Sequence, residues 1–115
     1  MNLISRYGDG EVLINGQRYT SPLLVAPGFL QSPWVNQVTE LTDAALEPVW
    51  PLQPRVLLLG TTRPNGTAEL AAARALRSGL AAKQIGLEAM DLGAACRTYN
   101  VLAQEDRPVA ALLFP

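Results

Sequence analysis

The sequence is poor in the side chains on which most acid–base and metal chemistry depends. Its 115 residues include no histidine and a single cysteine, Cys96. Without histidine the chain cannot build a Ser-His or Cys-His nucleophile pair, and it lacks the commonest ligand of transition metals. One cysteine cannot form an internal disulfide and provides no metal-ligand spacing. We therefore predict no catalytic residue, no metal site and no cofactor. Whether the protein is an enzyme stays open, with the non-enzymatic interpretation preferred.

Positive charge is also scarce. Nine Lys and Arg residues stand against ten Asp and Glu residues, which leaves a formal net charge of −1, and Lys83 is the only lysine. Proteins that bind nucleic acid normally carry a basic patch, because phosphate neutralisation supplies most of their affinity. The composition therefore argues against nucleic acid as a partner.

Long hydrophobic runs are absent as well. No stretch approaches the ~20 apolar residues of a transmembrane helix. The N-terminal residues lack the apolar core of a signal peptide. Hydrophobic residues still make up 49% of the chain, a composition typical of a folded globular protein. We therefore expect a single cytoplasmic domain over residues 1–115, without a membrane span.

The N-terminal part is predicted to be mainly β structure. Glu11–Ile14 and Gln17–Thr20 are prone to form strands, and Asn15-Gly16 lies between them. Asn-Gly is the strongest short hairpin signal because both turn residues must tolerate positive φ. Further along, residues 42–47 are expected to form a short helix with Thr42 as its N-cap.

The second half has the pattern of an α/β protein. Arg55–Gly60 is continuously apolar between its ends, which is typical of a strand buried on both faces. Helices are predicted over residues 68–82 and 92–104, and strands over 85–90 and 109–114. Strand–helix–strand units favour right-handed crossovers and parallel neighbours. We predict a three-layer α/β fold with a mixed, mostly parallel central sheet, helices on its faces and an extra N-terminal β-hairpin.

A candidate ligand site lies where the predicted strands end. Ligands collect at the carboxyl ends of strands in open parallel sheets, and a helix start can face an anion. Here those ends carry Gly60, Thr61 and Arg63, then Asp91, with Arg97 in the following helix. The loop lacks both the glycine spacing of a dinucleotide fingerprint and the lysine of a phosphate loop, so NAD and ATP are disfavoured. The alternatives are an ordinary solvated loop and, at Asp91, a simple helix cap.

Two further side chains have competing interpretations. Cys96 falls on the apolar stripe of the second helix, and we predict a buried small hydrophobe rather than a reactive thiol. Trp34 is interpreted as a core anchor rather than an exposed recognition side chain, because burial is the commoner fate of a large aromatic ring.

Several segments together carry a family resemblance. The most specific is the block Ala94-Ala-Cys-Arg-Thr-Tyr-Asn100, and the others are Arg6–Gly10, Ile14–Gly16, Ser21-Pro22, Leu58–Thr61, Glu88–Asp91 and Arg107–Leu113. Over nearly its whole length the sequence resembles the family of small single-domain proteins of unknown biochemical function that includes mitochondrial respiratory complex I assembly factor 3. The resemblance implies a three-layer α/β fold with a mixed central sheet and an extra β-hairpin, and it supplies no catalytic residue, because the family has no agreed chemistry. The chain departs from the family pattern at Thr62, where relatives tend to have glycine, and at Leu92, where they tend to have threonine.

Two functional hypotheses follow. The first is a non-enzymatic protein-interaction or assembly factor whose partner is another protein. The alternative is a small-molecule or anion-binding domain, with or without catalytic activity, that uses the strand-to-helix loops. The oligomeric state is left undetermined by the sequence.

Overall fold

The chain folds into two β-sheets and two α-helices, seen in a computed structural model that describes residues 1–115. The strands are β1 (Ile4–Gly8), β2 (Glu11–Ile14), β3 (Gln17–Tyr19), β4 (Leu23–Ala26), β5 (Phe29–Gln31), β6 (Val56–Thr61), β7 (Gly86–Asp91) and β8 (Val109–Phe114). The helices are α1 (Thr67–Ala82) and α2 (Leu92–Gln104), and two short 3-10 helices span Val38–Glu40 and Glu47–Leu52. Neither α-helix has the length and apolarity needed to cross a membrane.

The smaller sheet is antiparallel, in the order β1-β2-β3. Strands β2 and β3 form the predicted hairpin, with Ile14 paired to Gln17 across the turn. Asn15 and Gly16 have φ angles of 52° and 82°, the left-handed conformations that make Asn-Gly suitable for a two-residue turn. The hairpin prediction is confirmed, and β1 extends the hairpin to three strands.

The larger, central sheet has the order β5-β4-β8-β6-β7. Strand β6 is parallel to β7 and to β8, whereas β4 is antiparallel to β5 and to β8. The prediction of a mixed sheet is confirmed, but the prediction that it is mostly parallel is wrong. The strand–helix–strand units contribute only β6, β7 and β8, and the other edge of β8 pairs with β4 of the separate β4–β5 hairpin. The pairing of β4 with β8 joins residues far apart in sequence, so no local sequence pattern predicts it.

The central sheet carries one helix on each face. Leu57 and Leu59 of β6 belong to the core on the α1 side, together with Leu76 and Leu80 of α1. Leu58, between them, belongs to the core on the α2 side, which also includes residues of the small sheet. Successive side chains of a strand point to opposite faces, so one continuously apolar strand serves both cores. The predicted α/β class with helices on both faces is confirmed.

The predicted short helix over residues 42–47 is a turn instead. Thr42 Oγ1 does accept a hydrogen bond from the Ala45 amide at 3.3 Å, as expected of a cap. The chain then enters the 3-10 helix Glu47–Leu52, which contains Pro48 and Pro51. Because proline lacks an N–H donor, this segment cannot continue as an α-helix.

Trp34 anchors this irregular segment to the core. Its side chain is half-buried, its ring centroid lies 6.4 Å from that of Phe114, and its Nε1 donates to the Ala45 carbonyl at 3.1 Å. The hydrogen bond satisfies the one polar atom of the indole. Trp34 therefore acts as the predicted anchor, although the ring is not fully enclosed.

Candidate functional site

The two strand ends that the sequence predicts to form a site, those of β6 and β7, are neighbours in the central sheet. Thr61 ends β6 and pairs in register with Asp91, which ends β7. After β6 the chain continues into α1 on one face of the central sheet, and after β7 it continues into α2 on the opposite face. The side chain of Thr61 lies on the α1 face, following Leu57 and Leu59. The carboxylate of Asp91 is directed to α2, where its Oδ1 accepts from the Ala94 amide at 2.8 Å.

Gly60 lies under α2 and is a packing position. A Cβ atom at Gly60 would meet Ala95 Cβ at 2.5 Å and Leu113 Cδ2 at 3.1 Å. Glycine thus allows the helix to approach the strand closely, and the buried backbone leaves no room for a ligand between them.

Arg63 lies in the exposed loop between β6 and α1. Its carbonyl accepts from the Gly66 amide at 2.9 Å, which closes a turn before the helix. Its guanidinium forms no ion pair and no side-chain hydrogen bond, and it is not among the residues that line a cleft with Thr61. Arg63 therefore makes no side-chain hydrogen bond or ion pair with any of the other four candidates.

Asp91 and Arg97 both lie beside Gly93 at the start of α2 without forming an ion pair, and Tyr7, which sequence reasoning missed, lies next to them. Tyr7 of β1 accepts a hydrogen bond from Arg97 Nη1 through its hydroxyl. Its ring lies over Gly93, where a Cβ would come within 2.8 Å of Tyr7 Cε2 and 3.4 Å of Asp91 Oδ1. We call Asp91, Gly93, Arg97 and Tyr7 the α2 cluster. It combines a carboxylate, a guanidinium and a phenol on an exposed surface.

The family-specific block in α2 holds the small sheet in place. Asn100 Oδ1 accepts from the Ile4 amide at 2.9 Å, and Asn100 Nδ2 donates to the Ile4 carbonyl at 2.7 Å. Tyr99 is buried, and its hydroxyl donates to the Asn2 carbonyl at 2.7 Å. The two partners of each of these hydrogen bonds are more than 90 positions apart in sequence, so no local pattern predicts them.

Cys96 is buried against this layer, as predicted for a small hydrophobe. Burial raises the pKa of its thiol from the ordinary value of 9.0 to about 12; the nearby Arg97 lowers it, and Asp91 raises it. The thiolate needed for nucleophilic chemistry is therefore strongly disfavoured near neutral pH. Burial also raises the pKa of the Tyr99 phenol.

The Cys96 shift predicts an alkaline loss of stability. Below pH 9.0 the thiol is protonated in both the folded and the unfolded chain, so it contributes no pH dependence. From pH 9.0 to about 12, the unfolded thiol ionises while the buried thiol keeps its proton. The unfolded state then binds fewer protons, so the free energy of unfolding falls by about 1 kcal/mol per pH unit.

Urea unfolding at about pH 8 and about pH 10 measures this fall. The control is Cys96→Ala, which should show a distinctly smaller decrease over the same interval. Equal decreases in the two proteins would contradict the assignment of the effect to Cys96.

Comparison with known proteins places the chain in a family. Residues 4–114 match the family described as "Protein of unknown function (DUF498/DUF598)". The crystal structure of a protein from Bordetella parapertussis is 35% identical with a TM-score of 0.79, covering 99% of this chain and 95% of that one. A Mth938-like domain from Bordetella pertussis, solved by NMR, is 30% identical with a TM-score of 0.75, covering 99% of this chain and 85% of that one.

A curated relative has an assigned role. NADH dehydrogenase (ubiquinone) 1 alpha subcomplex assembly factor 3 of Bos taurus is 27% identical over 114 residues. The alignment covers 97% of this chain but only 60% of the length of that protein. With a family match over almost all of its residues, the chain belongs to the DUF498/DUF598 family of proteins of unknown function.

Proposed function

We propose that this protein is a non-enzymatic protein-interaction or assembly factor. The observation that carries the proposal is the similarity to complex I assembly factor 3 along 97% of the chain. The partner we propose is a protein subunit of a larger assembly, of which the NADH dehydrogenase named in that relative is the first candidate.

The α2 cluster is the surface we assign to the partner. Tyrosine and arginine are enriched at protein interfaces and dominate their hot spots. Tyr7 keeps 38% of its surface exposed, and its hydrogen bond to Arg97 holds both side chains in place. Such fixed side chains lose less conformational freedom on binding than mobile ones. Val101, 53% exposed, lies one helical turn beyond Arg97 and extends the surface with an apolar side chain.

The test is retention of a partner by the tagged full-length chain in lysate of the source organism. A partner subunit should be recovered in stoichiometric amount and identified by mass spectrometry. The Arg97→Ala variant should bind that subunit at least about fivefold more weakly, as expected for an interface hot spot.

The matched control is Arg77→Ala, which removes an exposed arginine from α1 on the opposite face of the sheet. This control should retain the partner as the unchanged protein does. Recovery of the chain alone, or equal retention by Arg97→Ala and Arg77→Ala, would count against the proposal.

A further inference from the structure

We propose that a cleft on the α1 face is a second, separate site, which binds a small neutral polyhydroxylated molecule of about monosaccharide size. The cleft has a volume of about 430 Å³ and lies beyond the carboxyl ends of β6 and β8. This volume falls in the usual range for small-molecule sites. The site goes beyond the proposed assembly function and does not depend on it.

Thr61 carries the proposal, because its hydroxyl lacks a partner. The residue is only 3% exposed, and its Oγ1 forms no hydrogen bond. It lies at the end of β6 on the α1 face and lines the cleft. The other buried oxygen without a hydrogen bond, Glu11 Oε2, lies 2.5 Å from Arg18 Nε and is satisfied by that ion pair. Thr61 is thus a buried hydroxyl without a hydrogen-bond partner at the border of the cleft. Because its Oγ1 is itself shielded from solvent, a ligand in the cleft would supply the missing partner through rotation of the Thr61 side chain.

The walls of the cleft match a ligand that both donates and accepts hydrogen bonds. One wall carries Asn36, Gln37 and Thr39, and the other carries Thr61 and Thr62. Each of these hydroxyl and amide side chains offers donors and acceptors together. Ligand hydroxyl groups complement such a lining, because each can rotate its hydrogen toward an acceptor or away from a donor.

The wall formed by Asn36 and Gln37 is held in place from outside the cleft. Glu40 Oε1 accepts from the backbone N–H of Asn36 at 2.6 Å and from the backbone N–H of Gln37 at 3.1 Å. Phe114 also lines the cleft and supplies an apolar surface, backed by the Trp34 ring. Polar edges beside an aromatic ring are suited to a sugar-like molecule with one apolar face.

A helix N-terminus normally attracts anions, and α1 begins at this cleft. The charges around the cleft nevertheless disfavour an anionic ligand. The lining includes no lysine or arginine, and Glu69 is its only charged side chain. Glu69 lies in the first turn of α1, with its Oε1 directly beside the N-cap residue Gly66. A carboxylate at this position interacts favourably with the positive end of the helix dipole and repels a second anion. The favoured ligand is therefore uncharged.

The test is a titration of the full chain followed by two-dimensional NMR of its backbone amides. The probes are D-ribose, D-glucose and myo-inositol, with inorganic phosphate as the anionic comparison, each raised to about 50 mM to populate a site of millimolar Kd. At least one neutral probe should cause saturable shifts centred on Thr61, Thr62, Ala68 and Glu69, and phosphate should not.

Two variants link the shifts to the cleft. Thr61→Val keeps the side-chain shape and removes the hydroxyl, so it should weaken binding of the neutral probe about tenfold. It should also leave the melting temperature of the free protein equal or higher. Asn36→Ala changes an exposed residue of the opposite wall and should weaken the same probe without affecting folding. The matched control, Thr98→Val, lies in α2 on the other face of the sheet and should bind the probe normally.

Three results would overturn the proposal. They are the absence of saturable shifts with all three neutral probes, a response to phosphate alone, and unchanged probe binding by Thr61→Val. The last result combined with a lower melting temperature would mean that the hydroxyl is structural.

Discussion

Replacing Gly60 by alanine should lower the free energy of unfolding by about 1–3 kcal/mol, the usual cost of inserting a methyl group into a filled core. The new Cβ would lie 2.5 Å from Ala95 Cβ and 3.5 Å from the backbone Cα of Leu92. Neither atom is the end of a flexible side chain, so the added methyl group can be accommodated only by moving α2 away from β6. That movement would also disturb the core that includes Cys96 and Tyr99.

Chemical denaturation measures this effect, and the chain offers a matched control. Gly28→Ala adds the same methyl group where no atom lies within 4 Å and φ is not in the left-handed region. Its free energy of unfolding should change by no more than about 0.5–1 kcal/mol, in the stabilising direction.

A second substitution tests the contact itself. Ala95→Gly removes the atom that the new methyl group would meet, at a cost of about 1 kcal/mol for glycine within a helix. In the Gly60→Ala background this substitution should cost less than it does alone, or restore stability. Additive losses in the double variant would show that the two positions do not interact.

Replacing Asn100 by alanine should lower the free energy of unfolding by about 2–4 kcal/mol, because two backbone groups of Ile4 lose their partners. The Asn100 amide group satisfies the N–H and the carbonyl of Ile4 at the same time. Ile4 itself is 5% exposed and belongs to the core on the α2 side. Water therefore cannot readily replace the lost side chain.

Hydrogen exchange gives this prediction a local measurement. The Ile4 amide should exchange much faster in Asn100→Ala than in the unchanged protein. Gln104→Ala, an exposed position one turn further along α2, is the control and should change stability by no more than about 0.5 kcal/mol. Unchanged protection of Ile4 would show that Asn100 does not hold β1 to the helix.

The segments that carry the family resemblance have a structural role in this protein. Asn100 binds the backbone of Ile4 in β1, Tyr99 binds the carbonyl of Asn2 just before that strand, and Gly93 makes room for the Tyr7 ring. The Arg6–Gly10 segment and the Ala94–Asn100 block therefore meet in the structure, through the hydrogen bond between Tyr7 and Arg97.

The candidate site shows how far local information reaches. Apolar runs followed by turn residues predict where each strand ends, and the helical period of the residues after Asp91 identifies it as a helix cap. Local patterns could not predict that the side chain of Thr61 lies on the α1 face of the central sheet whereas the carboxylate of Asp91 is directed to α2. The direction taken by each helix depends on which core it covers, and that choice involves the whole sheet.

The sequence by itself determined the short-range features: the Asn15-Gly16 turn, the limits of α1 and α2, the buried strand β6 and the burial of Cys96. Each follows from residues within about one helix length of one another, through φ preferences and hydrophobic periodicity. The tertiary structure alone decided that β4 pairs with β8 and that Tyr7 meets Arg97. It also decided that the Thr61 hydroxyl is enclosed without a partner. These features depend on contacts between distant segments, whose free energy is set by the packing of the complete core rather than by any local pattern.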